Sequence, residues 1–83
     1  MSVRVEGRLL RVEGSGLVED AEPILAALID DPLMTVDLSG ARRVHSAIVQ
    51  VLFALRPQIV GLPDDRFYIE HVAPLLDVKQ GSS

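Results

Sequence analysis

The chain has 83 residues, of which 48% are hydrophobic and 24% are charged, and its formal net charge is −4. This balance is typical of a globular chain and excludes a disordered one, while the short length leaves little material for a deep active-site cleft. There is no cysteine, which excludes disulfides and thiolate metal sites. We expect one domain over residues 1–78 and a flexible tail at 79–83.

Short segments with a strand pattern occur at four places. Polarity alternates in Val3–Glu6 and again in Arg8–Glu13, which predicts two half-buried strands. Gly14-Ser15-Gly16 then predicts a turn that admits positive φ. Leu33–Leu38 has β-branched residues at its centre and predicts a central strand, and Phe67–Ile69 predicts a further strand.

Three segments are predicted to be helical. Between Leu17 and Ile29 the apolar residues are spaced by three and four, which predicts an amphipathic helix whose regular part begins near Asp20. A second helix is predicted from about Ser46 to Arg56, because Pro57 disfavours its continuation. Val72–Val78 predicts a short final helix.

The order of these elements indicates the fold class. A loop through Arg42 and Arg43 is expected before the second helix, and helices alternate with strands after the first two strands. Such alternation favours parallel pairing through right-handed crossovers, with the first two strands as a hairpin at one edge. We therefore predict an α/β fold, a small mixed sheet of about four strands with three helices.

The second helix has two different faces when its residues are placed at about 100° intervals. One face is expected to join the core and consists of Ile48, Val51, Leu52 and Leu55. The opposite face carries no charge and consists of Ser46, Ala47, Val49, Gln50, Phe53 and Ala54. An apolar outer face marks a contact surface, unless another element of the same chain covers it. The shortness of the chain favours the contact surface.

Residues Leu33–Leu55 resemble the STAS domain family, which includes anti-sigma-factor antagonists and the tails of sulfate transporters. The resemblance is carried by Val-Asp-Leu-Ser-Gly at 36–40 and by Val-His-Ser-Ala-Ile-Val-Gln-Val-Leu at 44–52. It extends over roughly residues 8–70. It implies a STAS-like sheet of four or five strands, no enzymatic activity, and docking on partner proteins around the start of the second helix.

The sequence departs from the family at its phosphorylation motif. His45 stands where the family has Asp, Ser46 matches the first Ser, Ala47 occupies the phosphoacceptor position and Ile48 replaces Gly. Ser46 is therefore the only candidate phosphorylation site at this helix start, where a phosphate would be favourably placed. The alternative, which we favour, is that Ser46 is an N-cap that contributes about 1 kcal/mol to the helix.

The titratable residues do not predict catalysis or a metal site. His45 and His71 are the only histidines, and no ligand spacing on one helix accompanies them. The carboxylates at 30–31 and 64–65 are expected to be solvated turn residues. Asp37 is expected to hydrogen-bond the loop backbone before the second helix. We expect no catalytic residue, no metal and no cofactor.

The functional prediction is a non-catalytic, STAS-like module that regulates a signalling partner, such as a switch kinase or a component of a sensory complex. Its partner-binding residues are predicted to be His45, Ser46, Ala47, Val49, Gln50 and Phe53. The alternative is a homodimer or larger homo-oligomer that uses the same helix face. The net negative charge and scattered basic residues argue against nucleic acid, and the absence of a long apolar run predicts a cytoplasmic chain without membrane contact.

Overall fold

The computed structural model describes residues 3–76, so the predicted tail and the last two residues of the helix predicted at Val72–Val78 lie outside the described part. The strands are β1 (Val3–Glu6), β2 (Leu9–Val12), β3 (Gly14–Gly16), β4 (Thr35–Asp37), β5 (Ala41–Val44) and β6 (Gln58–Val60). The helices are α1 (Ala21–Asp30), which follows a 3-10 turn at Val18–Asp20, then α2 (Ser46–Leu55) and α3 (Ala73–Leu76). A π-helical segment, Tyr68–Val72, leads into α3, and we call the two together the C-terminal helix.

Four of the strands form the main sheet in the order β1-β2-β4-β6. β1 and β2 pair antiparallel through a turn in which Gly7 has a φ of 60°, a conformation that glycine adopts without steric cost. β2 with β4, and β4 with β6, pair in parallel. The α/β prediction is therefore confirmed, including the mixed sheet, the three helices and the hairpin at one edge.

The core lies between one face of the main sheet and the helices. Alternation along β2 directs Leu10 and Val12 to this face, where both are fully buried. Each of the two long helices contributes two buried apolar residues one helical turn apart, Ile24 and Leu28 from α1 and Ile48 and Leu52 from α2. The buried residues form one continuous cluster, to which Tyr68 and Val72 of the C-terminal helix also belong.

The other face of the main sheet carries polar side chains. Arg4 forms ion pairs with Glu6 at 3.1 Å and with Glu13 at 3.3 Å, all on exposed side chains. Arg11 Nε lies 3.4 Å from Glu6 Oε1, a distance typical of an ion pair, but without the geometry of a hydrogen bond. Exposed pairs of this kind contribute at most about 1 kcal/mol each, so these ion pairs contribute little to stability.

A second, two-stranded sheet corrects two of the sequence predictions. Gly14 has the expected positive φ of 70°, but residues 14–16 form β3 and not only a turn. The loop predicted through Arg42 and Arg43 is instead β5, which pairs in parallel with β3. Neither segment has a pronounced strand propensity, so their pairing depends on a tertiary contact between distant parts of the chain.

The strand predicted at Phe67–Ile69 is wrong, because these residues are helical and the last strand of the sheet is Gln58–Val60. Asp65 precedes the C-terminal helix, and its Oδ1 accepts a hydrogen bond from the backbone N–H of Tyr68 at 3.2 Å. Tyr68 and Val72 are four residues apart and both are buried. A cap and a helical spacing of buried residues thus override the strand propensity of Phe, Tyr and Ile.

The boundaries of the first two helices agree in part with the predictions. α1 begins at Ala21, close to the expected start of its regular part, but Leu17 and Ile29 are 47% and 64% exposed and lie outside the core. α2 ends at Leu55, and the following Arg56 adopts a left-handed φ of 49° before Pro57. The stop before Pro57 is as predicted.

Candidate protein-interaction surface

The start of α2 is capped by His45 and not by Ser46, contrary to the prediction. His45 has an extended backbone, and its Nδ1 accepts a hydrogen bond from the backbone N–H of Ala47 at 3.0 Å. A ring nitrogen can accept this bond only when it carries no proton, so the capping imidazole holds its proton on Nε2. Ser46 is the first residue of the helix and is exposed to solvent.

The outer face of α2 is less exposed than the helical angles alone suggested. Ser46 and Gln50 are exposed, but Ala47, Val49 and Phe53 are half-buried, and the last two pack against the core. The alternative to a free contact surface, cover by the same chain, is therefore partly realised. We call the five residues Ser46, Ala47, Val49, Gln50 and Phe53 the α2 surface, with the capping His45 at its start.

The core-facing stripe of α2 is narrower than predicted. Ile48 and Leu52 are fully buried, as expected, whereas Val51 is half-buried and Leu55 is 39% exposed. A ten-residue helix that packs through two central residues leaves both flanks partly accessible. Val51 and Leu55 therefore belong to the border of the core.

Arg56, which was not among the predicted site residues, covers one end of the α2 surface. Its guanidinium carbon lies 5.5 Å from the centroid of the Phe53 ring, within the range of a cation–π contact. Its Nη1 also lies 3.4 Å from the carbonyl oxygen of Leu75 in α3. The signal that could have identified it is the aromatic residue three positions earlier in the helix predicted to extend to Arg56, because residues with this spacing lie on the same side of a helix. In the structure Arg56 instead contacts Phe53 from the left-handed position just after the end of α2.

Two exposed apolar residues lie next to the start of α2 and were also missed. The backbone N–H of His45 donates to the carbonyl oxygen of Gly16 at 3.0 Å, which places the end of β3 beside the helix start. The next two residues, Leu17 and Val18, are 47% and 55% exposed, and the 3-10 turn that contains Val18 contacts α2. The uncharged surface at this end of the molecule therefore continues beyond α2.

Asp65 is not the solvated turn residue that was predicted. Its Oδ2 accepts a hydrogen bond from the backbone N–H of Val44 at 2.9 Å, in addition to the bond that Oδ1 accepts from Tyr68. Val44 directly precedes His45, so Asp65 fixes the strand end that leads into α2. Asp64 is exposed, and its backbone N–H donates to the carbonyl oxygen of Ala41 at 2.7 Å.

Asp37 hydrogen-bonds the following loop, as predicted. Its Oδ1 accepts a hydrogen bond from the backbone N–H of Ser39 at 2.9 Å. Hydrogen bonds from the backbone and then the side chain of Ser39, with a smaller contribution from the charge of Arg11, hold the pKa of Asp37 below its usual value of 3.8. The ionised carboxylate therefore stabilises the turn after β4.

The second histidine lies elsewhere in the fold. His71 belongs to the π-helical segment, is exposed, and has its ring centroid 4.9 Å from that of Phe67. Among residues 3–76 there is no group of three or more carboxylate or imidazole side chains that could hold a metal ion.

No protein-family model, curated protein or solved structure matches this chain. Within the described residues, no helix combines the length and the apolar character that a membrane crossing requires.

Proposed function

We propose that this chain is a non-catalytic, STAS-like interaction module that regulates a signalling partner by docking it through the α2 surface. One observation carries the proposal. α2 runs for ten residues, Ser46–Leu55, without a charged side chain, although part of its outer side is accessible to solvent. A helix at the surface of a globular domain normally places charged residues on its outer side, and their absence is typical of a contact surface.

The composition of the α2 surface defines the chemistry of a partner. Val49 and Phe53 form a half-buried apolar ridge, and the exposed Ser46 and Gln50 flank it with groups that can donate and accept hydrogen bonds. A complementary partner offers an apolar groove with a polar rim, the arrangement in which amphipathic helices are commonly bound. Leu17 and Val18, exposed beside the helix start, would extend the apolar contact.

Ser46 is the position at which phosphorylation would regulate this docking. The family resemblance places Ala47 at the phosphoacceptor position, and Ala47 has no hydroxyl. A phosphate on the exposed Ser46 would bring a charge of about −2 to the edge of an uncharged surface, which opposes docking onto an apolar groove. We propose that docking is constitutive when Ser46 is unmodified.

A photo-crosslinking experiment tests the proposal. A photoreactive residue replaces the exposed Gln50 in one variant and the exposed Glu22 of α1 in a control variant, and each is irradiated in extract of the source cell. We expect a distinct crosslinked protein from position 50 that is absent from position 22. The same crosslinks from both positions, or none from position 50, would contradict the proposal.

The crosslinked protein, once purified, allows a direct measurement of affinity. We expect Gln50→Arg to weaken binding at least about tenfold, since a desolvated charge at an apolar contact is costly, while Glu22→Arg leaves the affinity unchanged. Gln50 is a better probe than Phe53, whose ring packs against the core. If the crosslinked protein is a second copy of this chain, and sedimentation shows a dimer, the α2 surface serves homo-oligomerisation and the proposal of a signalling partner is wrong.

A further inference from the structure

A β-bulge in the small sheet brings two arginines to the surface side by side. Gly14 pairs with Ala41, but Ser15 pairs with Arg43, so Arg42 is an additional residue in β5. Strict alternation would have turned one of two successive side chains inward, whereas here Ala41 and Val44 are buried and both arginines are exposed. Bulges commonly redirect side chains in this way.

The two arginines line an open groove between β5 and the turn before the C-terminal helix. The groove has a volume of about 420 Å³. Its lining consists of Arg42, Arg43, Val44, Asp64, Asp65, Arg66 and Phe67. Three of these residues carry a guanidinium group, and a volume of this size lies within the range of natural ligand sites, about 300–1,000 Å³.

The walls of the groove are held together by hydrogen bonds. Asp65 Oδ2 accepts from the backbone N–H of Val44 at 2.9 Å, and the backbone N–H of Asp64 donates to Ala41 at 2.7 Å. The carboxylate of Asp65 is thus already hydrogen-bonded to the backbone of the walls. A groove that is already fixed loses less conformational freedom when a ligand binds.

The guanidinium groups of the groove are available to an anionic ligand. Within residues 3–76, the side chains of Arg42 and Arg43 have no ion-pair partner. Arg66 has only an exposed contact with Glu70, at 4.0 Å. The lining has a net charge of +1, from three arginines and two aspartates, whereas the chain as a whole has a net charge of −4.

We propose that this groove binds an acidic peptide segment of a partner protein, with carboxylates held by Arg42 and Arg43. Guanidinium groups bind carboxylates through two parallel hydrogen bonds, which gives geometric selectivity as well as affinity. Phe67 lines the groove and is 68% exposed, so it offers an apolar contact beside the charges. A mixture of charged and apolar contacts in one short groove suits a peptide, whereas a nucleic-acid binder normally carries an extended basic face or stripe. The site does not depend on the α2 surface.

Titration with a defined peptide tests the proposal. The probe is an eight-residue peptide of glutamates around one leucine, added to isotope-labelled protein at low salt and followed by NMR. We expect amide shifts confined to residues 41–45 and 63–68, and affinity that decreases as salt screens the charges. Shifts scattered over the whole surface would overturn the proposal. An equivalent peptide of glutamines should cause no shifts, and equal binding of it would also overturn the proposal.

Variants with the same change in net charge distinguish specific binding in the groove from general electrostatic attraction to the protein. We expect the double variant Arg42→Gln/Arg43→Gln to weaken peptide binding at least about tenfold, while Arg4→Gln/Arg8→Gln, with the same change in net charge, changes it less than about twofold. Equal losses would overturn the proposal. Arg66→Gln, on the other wall, should weaken binding even if the double variant disturbs the bulge. If a single-stranded oligothymidylate binds as tightly as the peptide and loses affinity in the same arginine variants, the ligand of the groove is a nucleic acid and the peptide proposal is wrong.

Discussion

The carboxylate of Asp65 accepts a hydrogen bond from the backbone N–H of Val44 at 2.9 Å, across 21 positions of sequence. Its second oxygen accepts from the N–H of Tyr68, three residues ahead. One side chain therefore joins the end of β5, immediately before α2, to the start of the C-terminal helix. Both proposed surfaces of the molecule adjoin this link.

Removing this carboxylate should destabilise the fold. We expect Asp65→Ala to lower the free energy of unfolding by about 2–3 kcal/mol, because two backbone N–H groups lose a charged acceptor in a partly buried site. Asp64→Ala is the matched control, since only its backbone takes part in a hydrogen bond, and should change the value by less than about 0.5 kcal/mol. Urea denaturation measures both. Equal losses at the two positions would contradict the role assigned to Asp65.

The cap of α2 can be tested by comparing adjacent residues. We expect His45→Ala to destabilise the protein by about 1 kcal/mol, because the N–H of Ala47 loses its acceptor, whereas Ser46→Ala should have little effect. His45→Asp should at least restore the stability, because Asp is a preferred N-cap and its charge is favourable at a helix start. Thermal unfolding near neutral pH gives the comparison. A larger loss from Ser46→Ala than from His45→Ala would show that serine is the cap after all.

Two glycines with similar backbone angles should respond differently to alanine. Gly14 and Gly61 have φ values of 70° and 75°. A Cβ on Gly14 would meet no atom within 4 Å. Gly14→Ala should therefore lower the free energy of unfolding by about 1–2 kcal/mol, which is the penalty of a left-handed alanine. A Cβ on Gly61 would lie 2.7 Å from the Cβ of Ser39 and 2.9 Å from its backbone nitrogen. Gly61→Ala should therefore cost about 3–4 kcal/mol, because overpacking adds to the backbone strain.

Chemical denaturation of both variants measures the difference. If Gly14→Ala and Gly61→Ala lose the same stability, the close approach of Gly61 to the turn at Ser39 makes no energetic contribution.

The ionised carboxylate of Asp37 should make stability depend on acid pH. Because hydrogen bonds from Ser39 lower the pKa of Asp37 in the folded chain, its contribution is fully present above the usual value of 3.8 and is lost as the pH falls through the lower folded value. Asp37→Asn retains an acceptor for the N–H of Ser39 but has no charge. We expect this variant to be less stable than the parent at pH 7, and the difference to shrink below about pH 4. A difference that is constant from pH 7 to pH 2 would contradict this assignment.

The part of the fold that was predictable from sequence has strong local patterns. The alternation in Val3–Glu6 and the spacing of apolar residues in α1 each specify an element within a few neighbours. α2 was predictable at both ends, because Pro57 disfavours its continuation and apolar residues at helical spacing begin directly after Ser46. For the interaction surface, the helical angles were right for Ser46 and Gln50, which are exposed, whereas Val49 and Phe53 are half-buried against the core.

The elements that were missed depend on contacts between distant segments. β3 and β5 contain glycines and arginines that do not favour strands, and they pair only because the fold brings residues 14–16 beside 41–44. Phe67–Ile69 has the composition of a strand, but the carboxylate of Asp65 and the burial of Tyr68 against the core make it helical. Strand propensity depends on such surroundings more than helix propensity does.

The sequence by itself determined the α/β class, the first two strands and the two long helices, including the uncharged helix from Ser46 to Leu55, because each depends on periodicity along a short segment. Only the tertiary structure decided that His45 caps that helix, that Phe53 packs partly against the core, and that a bulge exposes Arg42 and Arg43 together. These features depend on the packing of distant segments and on the direction of individual side chains. No local pattern encodes such contacts, since their energy is gained only when the chain is folded.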